Sequence, residues 1–239
     1  SEKPRTIDAN IDLNNIISSK RNFIELQSYK KSFSSFKGVK TYGSKFKTSN
    51  LELFKSTFKF LTSKNDHIKT HYTHRGRTKF KVLKDEVRKK LKRKFRFIFI
   101  NNNLETKINS NEKFIYFPLS VDEERNLLLA APYYTNQLEV LRHIAKSLPI
   151  GYKLYVKENP AQRGRYWRKI SKYKDMMAIP NVCLFHPDIP AESFFEKCSL
   201  VITIGGSSGL DAAFYEKPSI VFSDLGYSIL PSVSRLNSI

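Results

Sequence analysis

Apolar positions in this 239-residue chain follow two rhythms. Up to about residue 100 they recur every three or four positions. Leu51, Phe54, Phe58 and Leu61 make one such row, and Phe80, Leu83, Val87, Leu91 and Phe95 make a more regular one. A helix turns once in about 3.6 residues, so each row lies along one helix side. Lysine and arginine fill the other side of the second helix, KFKVLKDEVRKKLKRKFR. From residue 114 the rhythm changes to short apolar runs: FIYF (114–117), KLYVK (153–157), VCLF (182–185), LVITI (200–204) and SIVF (219–222). Amphipathic segments at about 135–148, 164–176, 191–197 and 208–216 separate them. Strands alternating with helices of this length read as βαβ units, which predicts an α/β fold with a parallel sheet covered on both faces. Residues 1–50 suggest one weak helix and a loop. The polar stretch 101–113 is the expected boundary between a basic, mainly helical region, 1–113, and an α/β lobe, 114–239.

Charge sharpens that division. The formal net charge is +20, with 28 Lys and Arg against 10 Asp and Glu in residues 1–113 but 14 against 12 in residues 114–239. Two readings fit the basic half. One is compositional drift, since Lys is accompanied there by abundant Asn, Ser, Phe and Ile, as an AT-rich gene would encode. The other is a working basic surface that meets anionic lipid, a lipid-linked acceptor or nucleic acid. The basic helix divides in the same way, into a membrane-surface or nucleic-acid element and an amphipathic helix packed on a neighbouring domain. No run of apolar residues has membrane-spanning length and the N-terminus lacks a signal-peptide core, so a cytoplasmic protein is expected, with the inner face of the membrane as its alternative site. The sequence opens on Ser and is expected to be a piece of a longer chain. Cys183 and Cys198 lie on apolar segments without metal-ligand spacing and are expected as buried thiols. His67, His71 and His74 cluster, but among cations and without an acidic partner, which argues against a metal site. No Asp-x-Asp motif is present, so neither metal nor cofactor is expected.

In an open parallel sheet, ligands bind beyond the carboxyl ends of the strands. The strongest local signal there is Gly205-Gly206-Ser207-Ser208-Gly209, between LVITI and a helix. Glycines admit a ligand close to the backbone, and first-turn N–H groups are unpaired, so this turn can cradle a phosphate, with Asp211 in reach of a ribose hydroxyl. A plain tight turn with Ser207 or Ser208 as helix cap fits the same residues. Because LVITI must be buried on both faces, the turn is expected to follow a central strand. His186 at a strand end, Arg163 and Arg165 beside Tyr166 and Trp167, and Tyr133, Tyr134, Asn136 and Gln137 at a helix start are candidate contacts to a phosphate or sugar. Each also has a structural reading, such as capping by Thr135 for the last group.

The run from Phe114 to Phe222 resembles the capsule polysaccharide biosynthesis family. The matching pieces are FIYFPLSVDEE, APYYTNQLEVLRHIAKSLPIGYKLYVKENP, IPNVCLFHP and the Gly/Ser turn followed by EKPSIVF. The resemblance implies a GT-B glycosyltransferase whose Rossmann-like donor-binding lobe takes a nucleotide sugar, such as a CMP-activated Kdo-like sugar, and passes it to a glycan or lipid-linked acceptor. It implies roles for Glu124, in a segment where the family carries Gln-Pro-Glu, and for Lys157, Glu158 and Asn159, where the family carries Lys-Glu-His-Pro. Asparagine can donate a hydrogen bond to phosphate but cannot carry a proton to a leaving group. Two rivals stand beside this reading: a nucleotide-sugar epimerase of the same architecture, and a nucleic-acid-binding protein using the basic half.

Overall fold

A computed structural model describes residues 49–62, 78–122, 126–165 and 167–236. The chain divides into two units, Ser1–Asp66 and His67–Ile239. Within the described residues the first contributes one helix, α1 (Asn50–Thr62), whose start is fixed by a reciprocal capping box: Ser49 Oγ accepts from the Glu52 N–H at 3.1 Å and Glu52 Oε2 accepts from the Ser49 N–H at 3.0 Å. The expected weak helix before it and the three clustered histidines, His67, His71 and His74, lie outside the described residues.

The second unit runs α2 (Lys79–Asn103), β1 (Lys113–Pro118), α3 (Gln137–Lys146), β2 (Tyr152–Lys157), α4 (Ile170–Met177), β3 (Val182–Phe185), α5 (Glu192–Phe195), β4 (Leu200–Thr203), α6 (Ser208–Ala213), β5 (Ser219–Val221) and β6 (Val233–Arg235). The six strands are all parallel and lie in the order β3-β2-β1-β4-β5-β6. This is the expected α/β architecture with a Rossmann-like sheet. The five strands read from sequence fall within a residue of their observed places at every end, and LVITI is central as expected; β6 is an addition.

Strand alternation divides the core into two layers. Ile115, Phe117, Leu154, Val156 and Ile202 join Leu141, Ile144, Tyr173 and Met176 on one face. Phe114, Tyr116, Tyr155, Phe185 and Val201 join Phe194, Phe195 and Ala212 on the other. The second layer is built largely from rings: Tyr116 stacks on Phe194 at 4.6 Å, Phe114 on Tyr155 at 4.1 Å, and Phe185 meets Phe194 edge-on at 5.1 Å. Both cysteines are free thiols, Cys198 buried and Cys183 half-buried.

Helix α2 runs past the expected end of the basic helix, through FIFI and into Asn103, and it belongs to the same unit as the sheet. Ile100 is fully buried in the first core layer, and Leu104 caps the helix. Glu105 then pairs with the outer edge of β3, donating its N–H to Leu184 O at 2.9 Å and accepting from His186 N–H at 2.8 Å. Burial of Ile100 and this edge pairing outweigh the strand preference of the aromatic and β-branched run.

Phe194 is fully buried amid Tyr116, Phe114 and Phe185. Phe194→Ala is expected to lower unfolding free energy by about 3–5 kcal/mol in denaturant titration, the range for deleting a buried ring.

Candidate functional site

The strand order reverses direction between β1 and β4, which is where an open parallel sheet opens a crevice. β1 stays in register with β2 as far as Pro118 opposite Lys157, but its register with β4 ends at Tyr116 opposite Val201. Beyond that level the chain after β1 and the chain after β4 diverge. The crevice is bordered by residues 119–122 on one side and by the Gly/Ser turn, 205–209, on the other.

A buried ionic network fixes the first border. Arg168 (3% exposed) donates from Nε to Glu158 Oε2 at 2.8 Å, from one terminal nitrogen to Asp122 Oδ1 and from the other to Ser120 O at 2.5 Å. Tyr173 donates its hydroxyl to the same Glu158 oxygen at 2.7 Å, and the Asn159 N–H donates to Glu158 Oε1 at 2.6 Å. Gln137 spans the loop after β1, donating to Ser120 O at 3.0 Å and Asp122 Oδ1 at 3.1 Å and accepting from the Ser120 N–H at 2.8 Å. Burial works against the Arg168 charge, but the carboxylates of Glu158 and Asp122 outweigh it and hold the guanidinium protonated. Burial and the Glu158 carboxylate both push the Tyr173 hydroxyl well above its ordinary range, so it stays a donor.

This network corrects two sequence expectations. Glu158 is fully buried and saturated, and Gln137 is 3% exposed and committed to the loop, so both position the site's walls instead of facing a sugar. Arg168, Tyr173, Ser120 and Asp122 went unread as a group. Arg168 reaches the network because Trp167 adopts a left-handed backbone (φ 61°), held by its N–H to Gln162 O at 3.1 Å and by Arg96, which donates to its carbonyl at 2.9 Å.

Lys157 ends β2 on the sheet face that carries α5 and α6. It is 6% exposed, and among the described residues its ammonium has no hydrogen bond and no contact ion pair; Glu192, Glu158 and Asp188 act on it from longer range. Burial lowers its pKa below the ordinary lysine value. Burial of the side chain disfavours its charged form, and an anion in the crevice would relieve that cost. Asn159 beside it uses its side-chain oxygen to accept the Ala161 N–H at 2.9 Å, which leaves its NH2 group as a donor.

The Gly/Ser turn lies two strand spacings from β2, about 10 Å across the sheet. The backbone N–H groups of Ser207, Ser208, Gly209 and Leu210 have no partner among the described residues, the first intrahelical donor being Asp211 to Ser207 O at 2.9 Å. Gly206 donates to Thr203 Oγ1 at 3.3 Å, and Gly205 is buried. Ser207 is exposed and its hydroxyl lies 3.5 Å from Asp211 Oδ2. α6 has six residues, so individual N–H groups, more than an axial dipole, make this end electropositive. Gly209 serves packing: a Cβ there would lie 2.9 Å from the Tyr227 ring and hydroxyl and 3.2 Å from Val221. The Tyr227 hydroxyl, pushed up to about 12 by burial, donates to Gly206 O and pins the turn from below.

The other expected residues are placed as follows. His186 is bonded at both ring nitrogens, accepting the Asp188 N–H at Nδ1 (3.2 Å) and meeting Asn101 Oδ1 at Nε2 (3.0 Å); burial lowers its pKa, so it is a neutral clamp between β3 and α2. Tyr134 lays its ring edge-on against Phe222 at 4.8 Å, and Tyr133 is exposed. Arg163 pairs with Asp188 at 3.1 Å and sits over the rings of Phe97 and Trp167. Glu124 and Tyr166 lie outside the described residues. Among the described residues no three His, Cys, Asp or Glu side chains converge as a metal site, and no helix is long and apolar enough to cross a membrane.

A parallel α/β lobe with a crevice at its topological switch point defines the class. The particular family is the capsule polysaccharide biosynthesis protein family, whose pattern matches residues 24–231, and the chain belongs to it. No curated protein matches the chain. Similar solved structures include Thermosulfurimonas dismutans KpsC, a beta Kdo 2,7 transferase (14% identity, TM-score 0.41), covering 63% of this chain and 46% of that one. Methanocaldococcus jannaschii UDP-GlcNAc 2-epimerase is similar at 12% identity and TM-score 0.40, covering 58% of this chain and 37% of that one, and its complex with UDP-GlcNAc and UDP at 11% and 0.36, covering 58% and 36%. The chain thus spans less than half the length of these structures.

Breaking the buried pair from one side is expected to cost about 3–5 kcal/mol in Arg168→Met, because Glu158 is left uncompensated. The double variant Arg168→Met with Glu158→Leu should recover a large part of that loss in the same denaturant titration.

Proposed function

We propose that this chain is the donor-binding lobe of a GT-B-type glycosyltransferase of surface-polysaccharide assembly, taking a sugar, Kdo-like and CMP-activated, for transfer to a growing glycan or lipid-linked acceptor. Membership of the capsule polysaccharide biosynthesis family supports the setting. The observation that carries the site is the buried Lys157, without a contact ion pair among the described residues and facing the same sheet side as the open N–H groups of the Gly/Ser turn.

In this reading the donor phosphate lies in the switch-point crevice. Lys157 supplies charge, the Asn159 NH2 and the N–H groups at 207–210 supply hydrogen bonds, and Asp211 meets a ribose hydroxyl. All are fixed before the donor arrives, which is the condition for stabilising charge that develops on the leaving phosphate. Arg168 acts one step back, by holding the loops after β1 and β2 in place. Glu124 acts at the acceptor hydroxyl as base, two residues beyond the Asp122 that Arg168 anchors. Asn159 lowers the demand on phosphate without giving it a proton, so departure of the nucleotide relies on electrostatics alone. No metal or cofactor is required by this scheme. The acceptor is oriented by a second lobe, and without that lobe transfer is slow because orientation is lost.

Calorimetric titration with CMP, UDP, GDP and CDP is expected to give binding with CMP preferred, and no binding to any nucleotide would overturn the donor-lobe reading. With the full-length enzyme, CMP-sugar and glycan acceptor, the product is an extended glycan; interconversion of free nucleotide sugars without acceptor would instead assign an epimerase. Lys157→Met should weaken nucleotide binding about 10- to 100-fold, the range for one charge-assisted hydrogen bond. The same variant should be more stable to denaturant than the parent. Because the folded state holds the Lys157 proton less tightly than the unfolded chain, parent stability rises with pH between the lowered value and the ordinary lysine value, and the advantage of Lys157→Met fades across that window.

A further inference from the structure

Helix α2 carries two apolar sides, and the lobe covers the C-terminal end of one through Ile100. Val82 and Ile100 are buried, and Arg96 on that side reaches Trp167 O. Phe80, Val87, Leu91, Phe95 and Ile98 are 79%, 57%, 51%, 64% and 44% exposed. At about 100° per residue these five fall within an arc of about 80°, roughly opposite Val82 and Ile100. The outer stripe runs along 19 of the helix's 25 residues and faces away from the sheet. A contiguous apolar row of this kind is uncommon on a free surface and marks a contact.

We infer that this outer face of α2 docks on an anionic lipid surface, apolar stripe inserted and flanking lysines at the headgroups. The flanks decide between lipid and protein. Arg88 borders the stripe on one side and Lys90 and Lys94 on the other, with Lys84 inside it between Leu91 and Phe95, all exposed, while Asp85 and Glu86 are the helix's two acidic residues. Protein interfaces are depleted in lysine, because packing against a second protein would strip water from these ammonium groups without supplying carboxylates. A bilayer interface keeps them solvated: the lysine stems lie along the apolar zone and the ammonium groups rise to the phosphates. A groove on the sheetward border adds a place for a headgroup. Lys90, Arg93 and Lys94 line it together with Phe97, Arg163 and Trp167, and it encloses about 340 Å³. Arg163, whose Nη2 is paired with Asp188 at 3.1 Å, is also held over the Phe97 ring at 5.7 Å and the Trp167 ring at 5.6 Å, so its guanidinium has a fixed orientation at the groove's edge. The inference stands independently of the donor site, from which it uses no residue.

The test is flotation of the chain with vesicles of phosphatidylcholine plus phosphatidylglycerol and with phosphatidylcholine alone. Binding is expected to the anionic vesicles only and to weaken with salt, since each basic residue at the surface contributes roughly fivefold. Phe80→Ser, Leu91→Ser and Phe95→Ser together should reduce binding at least tenfold with unchanged circular dichroism and melting, the three side chains being exposed. Lys90→Glu with Lys94→Glu should do likewise through charge. Equal binding to neutral vesicles, retained binding by the serine variant, or self-association of the parent that the serine variant abolishes without any vesicle binding would each overturn the proposal.

Discussion

One guanidinium holds the working end of this lobe in shape. Arg168 enters the protein from the loop before α4 and bonds to three places that are remote in sequence: the carbonyl of Ser120, the carboxylate of Asp122 and the carboxylate of Glu158. Loops beyond strand ends are otherwise the mobile parts of an α/β sheet, because their backbone groups lie outside the ladder. Here the loops after β1 and β2 share a single cation, and Gln137 at the start of α3 closes the same circuit. The cost of burying two charges, with half-buried Asp122 at the edge, is met by near-complete hydrogen bonding, with Tyr173 and the Asn159 N–H completing the shell of Glu158. The strained backbone at Trp167 belongs to the same arrangement, since it aims Arg168 inward.

Much of the sheet was legible because each strand is an apolar run buried on both faces, a pattern that only a covered parallel sheet satisfies. The central place of LVITI followed from its burial on both faces alone. β6 was not legible: of its three residues only Val233 is buried, too little for a pattern. The continuation of α2 through FIFI was not legible, since composition favours a strand there and only the packing of Ile100 and the pairing of Glu105 make it a helix end.

The candidate site was legible in part, for a related reason. Glycine and serine between a strand and a helix announce an open backbone whatever surrounds them, so the turn at 205–209 was found from sequence. Side chains whose role depends on distant partners were not. Glu158 belongs to a recognisable motif, yet its full burial against Arg168 and Tyr173 follows from contacts 10 and 15 positions away. Arg168 and Tyr173 look like ordinary members of a basic helix start. Lys157 stood in the motif beside Glu158, and only the structure separates the two: one carboxylate saturated, one ammonium left without a bonded partner among the described residues.

The turn also depends on a residue that comes after the last strand read from sequence. Tyr227 fills the space that a side chain at Gly209 would occupy and bonds to the carbonyl of Gly206. Neither residue can change size alone: a methyl group at 209 collides with the ring, and a smaller residue at 227 leaves the turn unsupported over a void. Over evolutionary time the two positions are therefore coupled, and relatives that lose the glycine at one are constrained to carry a smaller side chain at the other.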